Sequence, residues 1–168
     1  MIPDKFHDLP VHALAVHGAV VLVPLSALLA VLFVIPRTRG WAALPLPIVA
    51  VAALLNVFVA RTSGFNLRDD LAAVNPQINE LISDHEQKGN WLFYLMIVFA
   101  IIAVVVYVLY RRGDSFTGTL EYVACAALIV GAVVVAFQTY RVGEAGAKAV
   151  WGGTVSIPIF HLVGLLPR

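Results

Sequence analysis

Charge is scarce in this sequence: Asp, Glu, Lys and Arg make up 12% of the 168 residues, against roughly a quarter in an ordinary globular chain. The 11 basic and 10 acidic residues nearly cancel and form no basic block, which excludes the electrostatic footprint of a nucleic-acid-binding protein. Cysteine occurs once, as Cys125 inside an apolar run, so an internal disulfide, a zinc ribbon and a thiolate cluster are excluded. No Ser/His/Asp triad, phosphate-binding glycine loop, dinucleotide fingerprint or zincin helix is present. Gly143-Glu144-Ala145-Gly146 has no strand before it and is not a phosphate loop. What fills the chain is apolar surface: 61% of residues are hydrophobic and mean hydropathy is +0.90. That composition excludes disorder and an ordinary soluble enzyme, and it points to an integral membrane protein.

Four runs are long enough to cross a hydrocarbon core of about 30 Å, which takes roughly 20 helical residues. They are Ala13–Ile35, Trp41–Ala60, Trp91–Tyr110 and Leu120–Tyr140. Backbone groups in lipid must be satisfied within the segment, and the runs are too long for barrel strands, so the fold class is all-α, a four-helix transmembrane bundle in one domain. The first run lacks a basic leader and exceeds the apolar length of a secretory signal, so it is expected to remain as a helix. Arg37, Arg39, Arg111 and Arg112 crowd the two short connections. The positive-inside bias therefore puts those turns in the cytoplasm and both termini outside. Trp41 and Tyr110 at one face, and Trp91 and Tyr140 at the other, fit interfacial anchors.

Asn75-Pro76 supplies an N-cap and a proline for a first helical turn, and apolar residues then recur at helical spacing, so the third helix is expected to start near residue 76 and protrude over 76–90. Gly143, Gly146, Ala147 and Val150 extend the fourth helix with a stripe of small residues. The apolar tail Thr154–Arg168 is short, contains Pro158 and is expected to lie on the bundle rather than span.

Ionisable residues at membrane depth are costly and mark candidate sites. Counting helical rise from the cytoplasmic turns puts His12, His85 and Glu144 at one level, roughly 36–39 Å up, with His17, Arg61 and Gln138 about five residues deeper. Two imidazoles and a carboxylate from three helices form a candidate site for zinc, iron or copper. The competing reading is that His12 and Glu144 only sit among headgroups. His17, followed by an unbroken apolar run, could ligate haem iron, with His85 or His12 opposite and Arg61 or Arg141 on the propionates. Its competing reading is a neutral imidazole bonded to Gln138 or to a carbonyl. Five residues separate His12 from His17, about 140° around a helix, so both cannot face one centre without a kink. Pro24 is positioned to loosen the helix just below. Asn56, Ser26, Cys125 and Thr139 read as packing or interhelical hydrogen-bonding residues. His7 and His161 lie outside the spans.

The segments Val11-His12-Ala13-Leu14-Ala15-Val16-His17-Gly18, His85-Glu86-Gln87-Lys88-Gly89 and Arg141 to Trp151 carry a resemblance. Together they resemble a bacterial four-helix membrane family designated domain of unknown function 2231, over His12 to Gly152. In that family the first-helix histidine pair and the third-helix histidine recur, which maps onto His12, His17 and His85. The position of Glu144 is often histidine there, so the resemblance implies a two-histidine, one-carboxylate variant of a three-histidine site. Some members are joined to a Rieske-type iron–sulfur domain, which implies membrane electron transfer; this chain has no Cys-x-His pair.

The expected function is thus binding of haem or a transition metal at the extracytoplasmic end of the bundle, in electron transfer, in a bacterial inner membrane. The expected surroundings are the lipid bilayer, a redox partner or larger membrane complex and room for a homodimer, without nucleic acid. A non-catalytic accessory subunit of a respiratory complex is the second reading. A zinc hydrolase is a third, disfavoured because only Glu86 or Glu144 offers a general base.

Overall fold

A computed structural model describes residues 5–6, 9–72, 79–113 and 116–151. A two-residue antiparallel pairing of β1 (Lys5–Phe6) with β2 (Leu9–Pro10) leads into helix α1 (Val11–Val34). There follow the short α2 (Pro36–Ala42), then α3 (Pro45–Ala72), α4 (Asn79–Arg111) and α5 (Gly118–Trp151). Four helices, α1, α3, α4 and α5, are long and apolar enough to cross a membrane.

Proline sets the first breaks. Ile35 precedes Pro36, cannot settle comfortably in the α region and takes φ −75°, ψ 118°, which ends α1. Pro36 then opens α2, where a missing N–H costs nothing. The second span begins at Pro45 rather than Trp41, because a proline there has no N–H to return to residue 41. Pro24, by contrast, lies within α1 and the helix runs through it. The other connection turns at Gly113, whose φ of 67° is the left-handed conformation that closes a helix end.

At 1.5 Å per residue, the 33 residues of α4 and the 34 of α5 extend to roughly 50 Å. Both therefore outrun a hydrocarbon core, as the sequence leads one to expect. The Asn75-Pro76 helix start and the tail 154–168 lie outside the described residues.

The helices form a ring in which α1 and α4 each pack against α3 and α5, leaving α1 diagonal to α4 and α3 diagonal to α5. The interior is built from small residues: Ala30, Ala42, Ala50, Ala53 and Ala103 have no exposed surface. The outer faces carry Val21, Leu28, Ile48, Leu55, Val130 and Phe137. Lipid is as apolar as leucine, so helices gain nothing by hiding large side chains; they gain by close approach over alanine.

Trp41, Trp91 and Tyr140 are well exposed, as interfacial anchors must be. Tyr110 is not such an anchor. Its ring meets Phe33 and Phe116 at 5.5 and 5.8 Å, in a cluster that closes one end of the bundle. Arg39 seals that end: its Nη1 donates to Glu121 at 2.6 Å, its Nε to the Phe33 carbonyl at 3.1 Å, and its guanidinium lies over the Phe33 and Phe116 rings.

Candidate functional site

The opposite end of the bundle holds the histidines. His12 is in the first turn of α1 and His85 in the second turn of α4, on diagonal helices, and their rings approach across the bundle with planes at 90° and centroids 6.3 Å apart. Each is held from behind by the helix it leans on. His12 Nδ1 donates to the Ala60 carbonyl of α3 at 2.8 Å, and His85 Nδ1 donates to the Val142 carbonyl of α5 at 3.1 Å.

A carbonyl can only accept, so Nδ1 carries a proton in both rings, and in the neutral imidazole Nε2 is then the nitrogen with the lone pair. That is the tautomer of a histidine that ligates a metal through Nε2, whose other nitrogen is commonly fixed by a backbone carbonyl.

Glycine makes the approach possible. A Cβ added to Gly64 would stand 3.1 Å from His12 Cε1 and Nδ1, and one added to Gly146 would stand 3.1 Å from His85 Cε1. Each ring therefore lies flush on a helix backbone one turn beyond the carbonyl it bonds.

The level carrying Arg61 and Gln138 packs beneath this pair. Gln138, almost wholly buried, donates from Nε2 to the Lys88 carbonyl at 2.8 Å, tying α5 to α4. Arg61 donates from Nε to Asn90 Oδ1 at 2.5 Å and lies between the Phe65 and Phe93 rings, 5.0 and 5.3 Å from their centroids. Among the described residues, one buried polar atom, Asn56 Oδ1, has no hydrogen-bond partner where Asn56 presses on Gly18.

Of the residues singled out from sequence, His12 and His85 are thus brought together, and His17, Glu144 and Arg141 are not. His17 is exposed on the outer face of α1, its Nδ1 donating to the Ala13 carbonyl of its own helix at 2.6 Å. The 140° between positions five apart decides this: with His12 turned inward, His17 must turn out. Glu144 stands at the expected height but on the exposed face of α5, where Lys148 donates to it at 2.8 Å. Helical rise gives height along the bundle; it does not give angle. Arg141 is exposed and lines a surface depression of about 280 Å³ with Asp84, Gln87, Lys88 and Trp91. Among the described residues, no group of three or more His, Cys, Asp or Glu side chains is placed to hold a metal.

The sequence reading overlooked the accepting carbonyls and Gly64. Gly146 was visible as part of a small-residue stripe, but not as the floor under an imidazole. A glycine four residues beyond a helix position that faces a histidine is a faint signal, and no spacing rule would have singled it out.

No curated protein and no solved structure matches this chain. The family model described as "Predicted membrane protein (DUF2231)" matches residues 8–158, nearly the whole chain, and the protein belongs to that family.

Proposed function

We propose that this membrane protein binds a transition-metal ion between His12 and His85 and uses it in electron transfer. The observation that carries the reading is the matched pair of Nδ1–carbonyl bonds, which in neutral imidazoles puts the lone pair on Nε2 of two rings whose centroids lie 6.3 Å apart. Among the described residues no carboxylate joins the pair, so the site offers ligation without a positioned general base, which favours one-electron chemistry over hydrolysis. Haem fits this geometry less well than a bare ion. Arg61, the candidate partner for a propionate, is already engaged by Asn90 and lies between the Phe65 and Phe93 rings.

In this reading the protein sits in a bacterial inner membrane with the Arg37/Arg39 and Arg111/Arg112 turns cytoplasmic and the histidine end facing out, as the positive-inside bias supports. There the ion would pass single electrons between a donor and an acceptor carrier. The second reading, an accessory subunit of a larger membrane complex, draws on the same bonds: each histidine ties one helix to its neighbour, which is also what a purely structural brace does.

Purified chain in detergent, analysed for metals and scanned in the visible with and without dithionite, separates the two. The expected result is a redox-active ion retained by the wild type and by His17→Ala, and lost from His12→Ala and His85→Ala. Metal-free wild type after loading with copper, iron and zinc salts supports the brace instead, and retention in both inward variants refutes the site.

A further inference from the structure

The two inward histidines are 73 positions apart, and so are the faces around them. Of the eight buried residues of α1, six, Ala19, Val23, Ser26, Ala27, Ala30 and Phe33, correspond 73 positions later to the six buried residues of α4: Leu92, Met96, Phe99, Ala100, Ala103 and Val106. The return limb of each hairpin, α2 with α3 in the first and α5 in the second, repeats at an offset of 82. Ala42, Leu46, Ala50 and Ala53 are buried, as are Ala124, Leu128, Ala132 and Val135. The same offset relates the accepting carbonyls, Ala60 and Val142, and the glycine floors, Gly64 and Gly146. The neighbour pattern agrees: exchanging α1 with α4 and α3 with α5 leaves the ring of helices unchanged.

Equivalent positions can touch only at the symmetry axis, and two equivalent pairs do. His12 meets His85 at one end. At the other, Arg39 meets Glu121, again 82 apart, at 2.6 Å. The second pair is opposite in charge. Two copies of a single hairpin would set arginine against arginine there, so this contact needs two diverged halves in one chain.

We infer that the chain is a duplicated helical hairpin whose two-fold axis runs along the bundle between His12 and His85, and that this axial site takes one copper(I) ion between two equivalent imidazoles. The inference rests on the metal-binding reading above and gives the ion its class. A metal about 2.0–2.1 Å from each ligating nitrogen holds two imidazole centroids about 6.4 Å apart if nitrogen, metal and nitrogen are in line, and about 5.2 Å apart at the tetrahedral angle. The observed 6.3 Å fits the straight arrangement. Copper(I), a filled-shell monovalent ion, is satisfied by two nitrogens in line. Zinc asks for four tetrahedral ligands and copper(II) for a tetragonal set. A two-fold axis through the ion also requires its two ligands to be equivalent, as a linear pair is.

The test is an anaerobic titration of the full chain in detergent with copper(I) against a competing chelator, repeated with zinc and copper(II), on wild type, His12→Ala and His85→Ala. X-ray absorption of the copper-loaded wild type accompanies it and stands even if a variant fails to fold. The expected result is one copper(I) per chain, two nitrogen neighbours without sulfur, and losses of more than about 100-fold in both variants by similar factors. Zinc or copper(II) held through both histidines in preference to copper(I) overturns this inference and leaves the metal-binding reading standing. Copper(I) binding that depends on one histidine alone overturns the axial site. A wild type that binds none of the three ions overturns both.

Discussion

Gly146→Ala and Gly64→Ala make the most exacting test of the histidine pair, because the same change at equivalent places should act unequally. An alanine Cβ at either position stands 3.1 Å from the facing ring, where ordinary contact begins near 3.4 Å, so the ring must withdraw by a few tenths of an ångström. His12 has room to do so: its Nδ1···O distance of 2.8 Å stretches to about 3.1 Å, still within the hydrogen-bonding range. His85 does not. Its bond is already 3.1 Å and passes to about 3.4 Å, beyond useful range. Losing the carbonyl behind a ligating histidine lowers metal affinity roughly 10- to 100-fold, about 1.4–2.7 kcal/mol. The metal-free chain should hardly register the change. Alanine gains about 0.8–1.0 kcal/mol over glycine within a helix, which offsets a lost hydrogen bond of about 0.5–1.5 kcal/mol. A chelator competition should therefore show Gly146→Ala well below wild type and Gly64→Ala close to it, with thermal midpoints of the metal-free proteins within about 4 °C. Equal affinities for the two variants, or a collapse of the metal-free Gly146→Ala protein, would refute the reasoning.

At the far end of the bundle, Arg39→Glu or Glu121→Arg should each cost about 2–3 kcal/mol by leaving like charges together, and the double exchange should recover most of it, since the two positions are equivalent. Unfolding in detergent reads this directly, and a double variant no better than the singles would count against the axis. Asn56→Leu removes the unpartnered buried Oδ1 and should hold the stability or raise it by up to about 1 kcal/mol, read as an unchanged or higher thermal midpoint. A clear loss would mean that Asn56 has a partner in the membrane-embedded protein. Ala50→Leu and Ala132→Leu force a large side chain into equivalent closely packed positions, and each should cost about 1–3 kcal/mol; an unchanged midpoint for either would show that the helices do not meet there. His17→Ala, on the lipid-facing side of α1, should leave bound metal at the wild-type level in elemental analysis.

The amino-acid sequence by itself determined that this is a membrane protein with four spans. Length, apolar composition and proline or arginine punctuation act locally, and lipid forces each apolar run to satisfy its own backbone as a helix. It also placed His12 and His85 at one height, because rise per residue is a property of any helix. Angle is different. Which side of a helix faces inward depends on its neighbours, and here the lipid-facing side is as apolar as the core, so no amphipathic stripe marks the inward face. Hence His17 and Glu144 passed for site residues at the right depth, although one faces lipid and the other a lysine. The tertiary structure alone brought Ala60, Gly64, Val142 and Gly146 under the rings and Arg39 against Glu121. It also exposed the repeat, which is carried by burial rather than by residue identity: alanine answers leucine and phenylalanine answers serine at equivalent positions. Small residues and backbone carbonyls carry no signature in a sequence, and only helix packing gives them a role.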